Sequence, residues 1–341
     1  MNLFSKLKYL LYGGTNGKTV YSAINHAGSI IPDWFFRIRL RHELGRYDNN
    51  SDEKEYIQRR VNYYNKMTVL DNGDDFFRKS VDIGMLSMTR QKAYRFGIKK
   101  HTRWFPPYLR LILTEDHTKP MPDVPCIMKS RPIHGHNANS VLLDIDKTHH
   151  FLFFIKDRLH FEEKKDMAIF RGKILNNLRR SVISTRNLPG NTKCACHTTD
   201  SATGRTKHGM SVCDQLKYRY IVIPEDNETA YNLKWIMSSN SIAVMPRPTT
   251  ETWFMEGTLI PNYHYIEVKD DLSDIEEKLN YYSSHPDEAE RIIKHANDYI
   301  GQFRNRRRER IISLLVLDRY FSITNSYKNI TNYERHERTG R

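Results

Sequence analysis

The sequence predicts an α/β protein in which helices cover parallel sheets. Three observations lead there. At 341 residues the chain is long enough for about two domains. Its 39% hydrophobic content supports a buried core alongside 28% charged residues. From residue 108 onward, short apolar runs alternate with helical periodicity, as in strands joined by crossover helices.

Residues 1–105 are polar, basic and rich in tyrosine, and read as a mostly helical N-terminal region. Helical spacing is clearest in Glu55–Val69, through Tyr56, Val61 and Tyr64. Residues 106–210 form a first α/β half. Its runs Tyr108–Thr114, Cys126–Lys129, His150–Ile155 and Met167–Phe170 read as buried strands. Leu188–Ser211 is rich in Gly, Thr, Lys, Cys and His without periodicity, and reads as a loop between halves.

Residues 211–325 are the second half, and 326–341 a polar tail. Lys217–Ile223, Ser241–Met245 and Tyr263–Val268 read as strands, Thr250–Gly257 as a short helical piece, and Glu228–Ser239 as a helix burying Leu233, Ile236 and Met237. Ser273-Asp-Ile-Glu276 has the capping-box pattern before a helix through Ile275, Leu279 and Tyr282. Pro286 suits the first turn of a further helix burying Ala289, Ile292, Ile293, Ala296, Ile300 and Phe303. Ligands of such sheets bind at the carboxyl ends of the strands, so the crevice between the halves is the expected place for chemistry.

The formal net charge of +14 favours anionic partners such as nucleotide-sugars, phosphorylated glycans, nucleic acid or an acidic membrane face. No nucleic-acid-binding signature accompanies it. Four cysteines in so long a chain do not make a disulfide framework. The early apolar run LKYLLY lacks a small-residue cleavage site, and no apolar stretch reaches the roughly 18 residues of a membrane span. The expectation is a cytoplasmic protein. Arg304–Arg310, dense in arginine between two helical stretches, reads as a solvated or membrane-facing helix surface.

Three motifs carry less than they suggest. Gly13–Thr19 ends in Gly-Lys-Thr but has Tyr12 where a phosphate-binding loop needs its first glycine. Cys194-x-Cys196-His197 with Cys213 has zinc-ligand chemistry without a second spaced doublet, so an ordinary loop is the simpler reading. Asp144-Ile-Asp146 follows an apolar run and offers hard oxygen ligands, but so short and common a motif reads more simply as a solvated turn before the next strand.

Several segments stand out together: Leu111–Asp116, Lys129-Ser-Arg-Pro132, Asn139–Leu142, Phe170-Arg-Gly172, Pro224–Trp235, Glu251–Gly257 and His264-Tyr265. In content and order they resemble glycosyltransferase family 90, most strongly its bacterial lipopolysaccharide branch, from about Pro106 to Tyr320. The resemblance implies a GT-B fold, two Rossmann-like domains facing a central cleft with a helical N-terminal extension. It also implies an inverting, metal-independent transfer from a nucleotide-sugar, usually a UDP-sugar, to a lipopolysaccharide or capsule glycan. The expected partners are therefore a UDP-sugar, a lipid-linked or phosphorylated oligosaccharide and the anionic inner-membrane surface, with no cofactor and no metal ligands.

Inversion needs one base to deprotonate the acceptor hydroxyl. In the family a strand-end aspartate does this, and Asp116 matches it best, with Glu115 and Asp123 as alternatives. Without a metal, cations and backbone donors must take up the charge of the departing diphosphate. Arg171, beside Gly172, and Arg179 offer planar forks for phosphate. The amino end of the helix after Pro224 adds N–H groups and a favourable dipole. Glu225, Asn227, Asn232 and Lys234 complete the expected donor site, and Lys129, Arg131, Glu251 and Glu256 the acceptor side or cleft. Trp235, Trp253 and Phe254 read as core before sugar platforms.

Three positions depart from the family. Glu225-Asp226-Asn227-Glu228 stands where the branch has Glu-Gly-Asn-Asp, His149 where arginine is frequent, and Lys173 where a small residue is expected. They suggest a divergent specificity, or a weakly active or inactive member that binds polyanions or glycans.

Overall fold

The computed structural model describes residues 31–45, 51–88, 95–114, 121–145, 154–173, 194–199, 210–224 and 231–326. Up to residue 145 the described elements are α1 (Asp33–Gly45), α2 (Ser51–Tyr64), α3 (Gly73–Lys79), β1 (Val81–Asp82), α4 (Arg95–Thr102), β2 (Arg110–Leu111), β3 (Leu113–Thr114), β4 (Cys126–Met128), β5 (Ser130–Pro132) and β6 (Ser140–Leu142). Beyond it come β7 (Lys165–Lys173), β8 (Cys194–Thr199), α5 (Val212–Gln215), β9 (Tyr218–Val222), α6 (Tyr231–Met237), β10 (Ile242–Met245), β11 (Thr250–Thr252), β12 (Ile266–Glu267), α7 (Ile275–Ser284), α8 (Pro286–Gly301) and α9 (Arg306–Thr324). Two compact units result, and neither is one continuous stretch. The first comprises Met1–Lys18, His149–Thr249 and Phe254–Arg304; the second, Thr19–Thr148, Thr250–Trp253 and Asn305–Arg341.

In the first unit β12-β10-β9-β7-β8 form one sheet, and every neighbouring pair is parallel. Ala168, Phe170, Tyr220, Val222, Ile242, Val244 and Ile266 join Ile275, Leu279 and Tyr282 of α7 and Ala289, Ile292 and Ile293 of α8 in one core. The alternate residues Ile169, Ile221, Ala243 and Met245 are buried as well. Burial on both faces is why these strands read as continuous apolar runs.

Three local expectations change in this unit. Cys194–Thr199 lies within the segment read as a loop but is a strand, running from Ala168↔Cys194 to Lys173↔Thr199 along β7. An edge strand needs only one neighbour, so its polar, β-branched sequence lacks the apolar signature. The predicted capping box does not form: the cap residue of α7 is Asp274, without a side-chain cap bond. Ser273 instead donates its backbone N–H to Asp271 at 3.0 Å, and Asp274 accepts from Lys269 N at 2.8 Å. Of the predicted strand His150–Ile155, the described Phe154 and Ile155 are irregular, and Ile155 N–H donates to Ser238 Oγ at 2.9 Å.

In the second unit β3-β4-β6 form a parallel sheet, with Leu113↔Ile127 and Ile127↔Val141 in register. Helix α9 packs on α1, α2 and α4. Its residues Ile311, Ile312, Leu314–Leu317, Tyr320 and Phe321 are all buried, together with the polar Ser313 and Asp318, so the middle of the helix is enclosed on every side. Asn305 caps it by accepting from the N–H groups of Arg307 and Arg308. Of the arginine cluster read as a solvated or membrane-facing surface, Arg306 and Arg307 are exposed, whereas Arg310 pairs with buried Glu43. Gly97 of α4 lies against the Ile145 carbonyl, where a Cβ would come within 1.7 Å of the oxygen. Thr250–Thr252, expected to be helical, is a strand antiparallel to β5, with Glu251 opposite Arg131.

Candidate active site

Taken in chain order, the strands of the first unit lie in the sheet as 2-1-3-4-5. The chain leaves β7 for β8 on one side and reaches β9 on the other. In a doubly wound sheet such a reversal opens a crevice at the carboxyl ends of the two strands that flank it. Those ends are Arg171-Gly172-Lys173 on β7 and Ile223-Pro224 just past β9. Both segments stand out in the sequence, and the sheet makes them neighbours.

Not all of the expected donor residues fall among the described ones. Arg179, Glu225, Asn227 and Asp226 lie outside them, and Arg171 and Gly172 are described as backbone, with Arg171 paired to His197 across β7 and β8. Asn232 is exposed in α6, and its side-chain carbonyl accepts from Trp235 Nε1 at 3.1 Å. Lys234 is buried in the same helix. Trp235 is thereby core, as are Phe254 and Trp253; the last stacks on Tyr64 with centroids 3.8 Å apart.

In the second unit the parallel strands end at Thr114, Met128 and Leu142, so Lys129 and Leu143-Asp144 lie at the same edge. Asp116 and Glu115 follow Thr114 but fall outside the described residues, as do Asp146 and His149. Lys129 is half-buried, Asp123 is exposed, and the Asp144 carbonyl faces His101 Nε2 at 3.0 Å.

Arg131 and Glu251 are held by each other rather than by solvent. The Arg131 side chain is 0% exposed and its Nε donates to Glu251 Oε1 at 2.8 Å. Its Nη1 donates to the carbonyls of Ser140 at 2.9 Å and Tyr64 at 3.2 Å, and its Nη2 to that of Tyr63 at 2.6 Å. Glu251 also accepts the Tyr63 hydroxyl. Nearby Lys66 donates to Asn137 Oδ1 at 3.0 Å, and burial and then the Arg131 charge lower its pKa.

Glu256 is buried, and the residue before it, Met255, has a left-handed backbone with φ of 58°. The Tyr299 hydroxyl, 2.7 Å from the Phe254 carbonyl and 2.9 Å from that of Met255, pins this turn. A β-carbon makes such a conformation costly, so it persists where surroundings enforce it.

Sequence reasoning assigned no role to two features here. Arg247, two residues past β10, pairs with Glu267 at the end of β12 at 2.9 Å, on the carboxyl edge of the sheet. Its signal was Pro246-Arg247-Pro248 directly after an apolar strand. Burial and the neighbouring His295 push the imidazole of His264 down to about 4. Its Nδ1 accepts from Ile260 N–H at 2.9 Å, which leaves the ring proton on Nε2.

Residues 143–340 match the family model described as glycosyl transferase family 90. The chain belongs to this family. It is also 35% identical over 302 residues to the O-glucosyltransferase LpsA of Dichelobacter nodosus, covering 87% of this chain and 93% of that protein. As a family 90 glycosyltransferase the chain takes a sugar donor and a glycan acceptor. Among its described residues, no helix is long and apolar enough to cross a membrane.

Proposed function

We propose that this glycosyltransferase moves glucose from UDP-glucose, with inversion and without a metal, to a lipooligosaccharide acceptor at an anionic membrane face. The observation that carries the reading is the topological reversal between β7 and β9, with Arg171-Gly172 at the end of one strand and Pro224 past the other. The likeness to an O-glucosyltransferase supports glucose as the sugar.

In this mechanism Asp116 takes the proton of an acceptor hydroxyl as its oxygen bonds to the anomeric carbon. The bond from that carbon to the diphosphate oxygen breaks on the opposite face. The electron pair leaves with UDP, where the guanidinium groups of Arg171 and Arg179 take up the developing charge. Arginine suits this better than lysine because its planar fork meets two phosphate oxygens at once.

Asp116→Asn is the test. The purified chain is given UDP-glucose and deacylated lipooligosaccharide with EDTA present, and product is followed by mass spectrometry. Removing a general base should lower turnover about 10²- to 10⁴-fold while UDP binding, measured by calorimetry, stays within about twofold. Full turnover in the variant, or transfer abolished by EDTA in the unaltered chain, overturns the mechanism.

A further inference from the structure

Helix α1 carries large apolar side chains on two opposite faces. One face serves the core of its own unit: Leu40, Glu43 and Leu44 are buried, and Phe36 meets Trp104 edge-on with centroids 5.1 Å apart. At about 100° per residue, Trp34, Phe35 and Ile38 fall on the opposite side. They are 57%, 38% and 72% exposed, and Ile31 just before the helix is 43% exposed. Arg37 and Arg41 border this face on one side and Arg39 on the other, all three exposed.

The helix is firmly mounted. Arg103 pairs with Asp33 of its first turn at 2.9 Å, donates to the Ile31 carbonyl, and lies 3.9 Å from the centroid of Phe36. Arg39 lies over Phe35 at 5.1 Å. The outer side chains are therefore presented by a fixed element. Scattered single apolar residues on a surface need no explanation, but a contiguous aromatic and aliphatic stripe does. An indole and aliphatic groups flanked by arginines is the composition of helices that lie in the plane of a membrane interface.

We propose that α1 is a docking element for an anionic lipid bilayer. Trp34, Phe35 and Ile38 enter the boundary between headgroups and acyl chains, while Arg37, Arg39 and Arg41 meet lipid phosphates. The occupant is anionic because the apolar stripe is bordered by cations and the chain carries a net charge of +14. The proposal rests on the preceding functional reading only for its purpose, delivery of a lipid-linked acceptor; the binding itself needs no turnover.

Lipid binding has its own optical signature here. Of the four tryptophans, Trp104, Trp235 and Trp253 are buried, so Trp34 is the indole that bilayer contact would move into an apolar setting. The full chain is sedimented with phosphatidylcholine vesicles with and without phosphatidylglycerol, and its emission is followed with brominated lipid as quencher. The expected result is binding to the anionic vesicles, with blue-shifted and quenched emission.

Trp34→Ser with Ile38→Ser should weaken that binding at least about tenfold. Arg37→Gln with Arg39→Gln should weaken it about thirtyfold on anionic vesicles and leave neutral ones unchanged. These residues are exposed, so circular dichroism and melting temperature should stay the same. Binding by the Trp34→Ser, Ile38→Ser variant equal to the parent overturns the proposal. So does sedimentation without a change in emission, or an absence of binding to anionic vesicles. Failure of the unaltered chain to bind anionic vesicles while it still transfers sugar to soluble acceptor refutes docking and spares the transferase, whereas the Asp116→Asn variant, expected to keep vesicle binding and lose turnover, separates the two in the other direction.

Discussion

Replacing Glu251 by Gln should be among the most damaging isosteric changes in the second unit. The Arg131 guanidinium has no exposure, and its one anionic partner among the described residues, Glu251, sits 2.8 Å away. Its remaining acceptors are the neutral carbonyls of Tyr63, Tyr64 and Ser140. Glutamine keeps the volume and an acceptor for Tyr63 but leaves the cation without a counter-charge. Breaking a buried pair from one side costs about 3–5 kcal/mol. For a unit of this size, about 3 kcal/mol lowers the melting temperature by roughly 6–12 °C.

The companion variant Arg131→Met with Glu251→Leu removes both charges and leaves unpaired carbonyls at about 1 kcal/mol each, so it should be less destabilised than either single change. Urea unfolding followed by circular dichroism gives all four corners of the cycle, and the expected coupling is about 2 kcal/mol or more. A Glu251→Gln variant destabilised by less than about 1 kcal/mol would refute the claim that the pair is dry and mutually dependent.

Two further outcomes follow from the buried groups. Folded His264 titrates at about 4 against an ordinary 6.5, so it refuses a proton that the unfolded chain accepts. Its contribution is complete above pH 6.5 and is lost as pH falls toward 4, by about 1.4 kcal/mol per pH unit and up to about 3 kcal/mol. His264→Gln should flatten that part of the stability profile, measured by urea midpoints at several pH values, and a variant with the parent's slope would contradict it. In the first unit, Lys164 is buried and bonded to Asp157 at 2.6 Å, the Leu216 carbonyl at 2.5 Å and Ser241 Oγ at 3.0 Å. Burial lowers its pKa and Asp157 partly offsets this, so Asp157→Asn should cost about 3 kcal/mol at neutral pH and less at pH 9, where the amine is more readily neutral. An unchanged midpoint at pH 7 would show that the ammonium is not held by that carboxylate.

Much of this protein was legible locally. The runs around Met167–Phe170, Lys217–Ile223 and Ser241–Met245 are apolar because both faces of their strands are covered, and that requirement is written into consecutive residues. Pro286 marks the start of α8 for an equally local reason: its missing N–H costs nothing in the first turn. The motifs that suggested the family needed no contact information either.

Tertiary structure decided what depends on partners far apart in sequence. Cys194–Thr199 is a strand because β7 offers it an edge, and Thr250–Thr252 because β5 does. Arg131 and Glu251 read as two cleft residues until the register of β5 and β11 set them opposite each other, 120 positions apart. The reversal of strand order between β7 and β9 exists only through the arrangement of the sheet. No residue records that order, because hydrogen bonding between strands uses backbone groups common to all sequences. The sequence alone determined which segments could be buried and which family chemistry they carry; the packing of those segments determined which side chains meet.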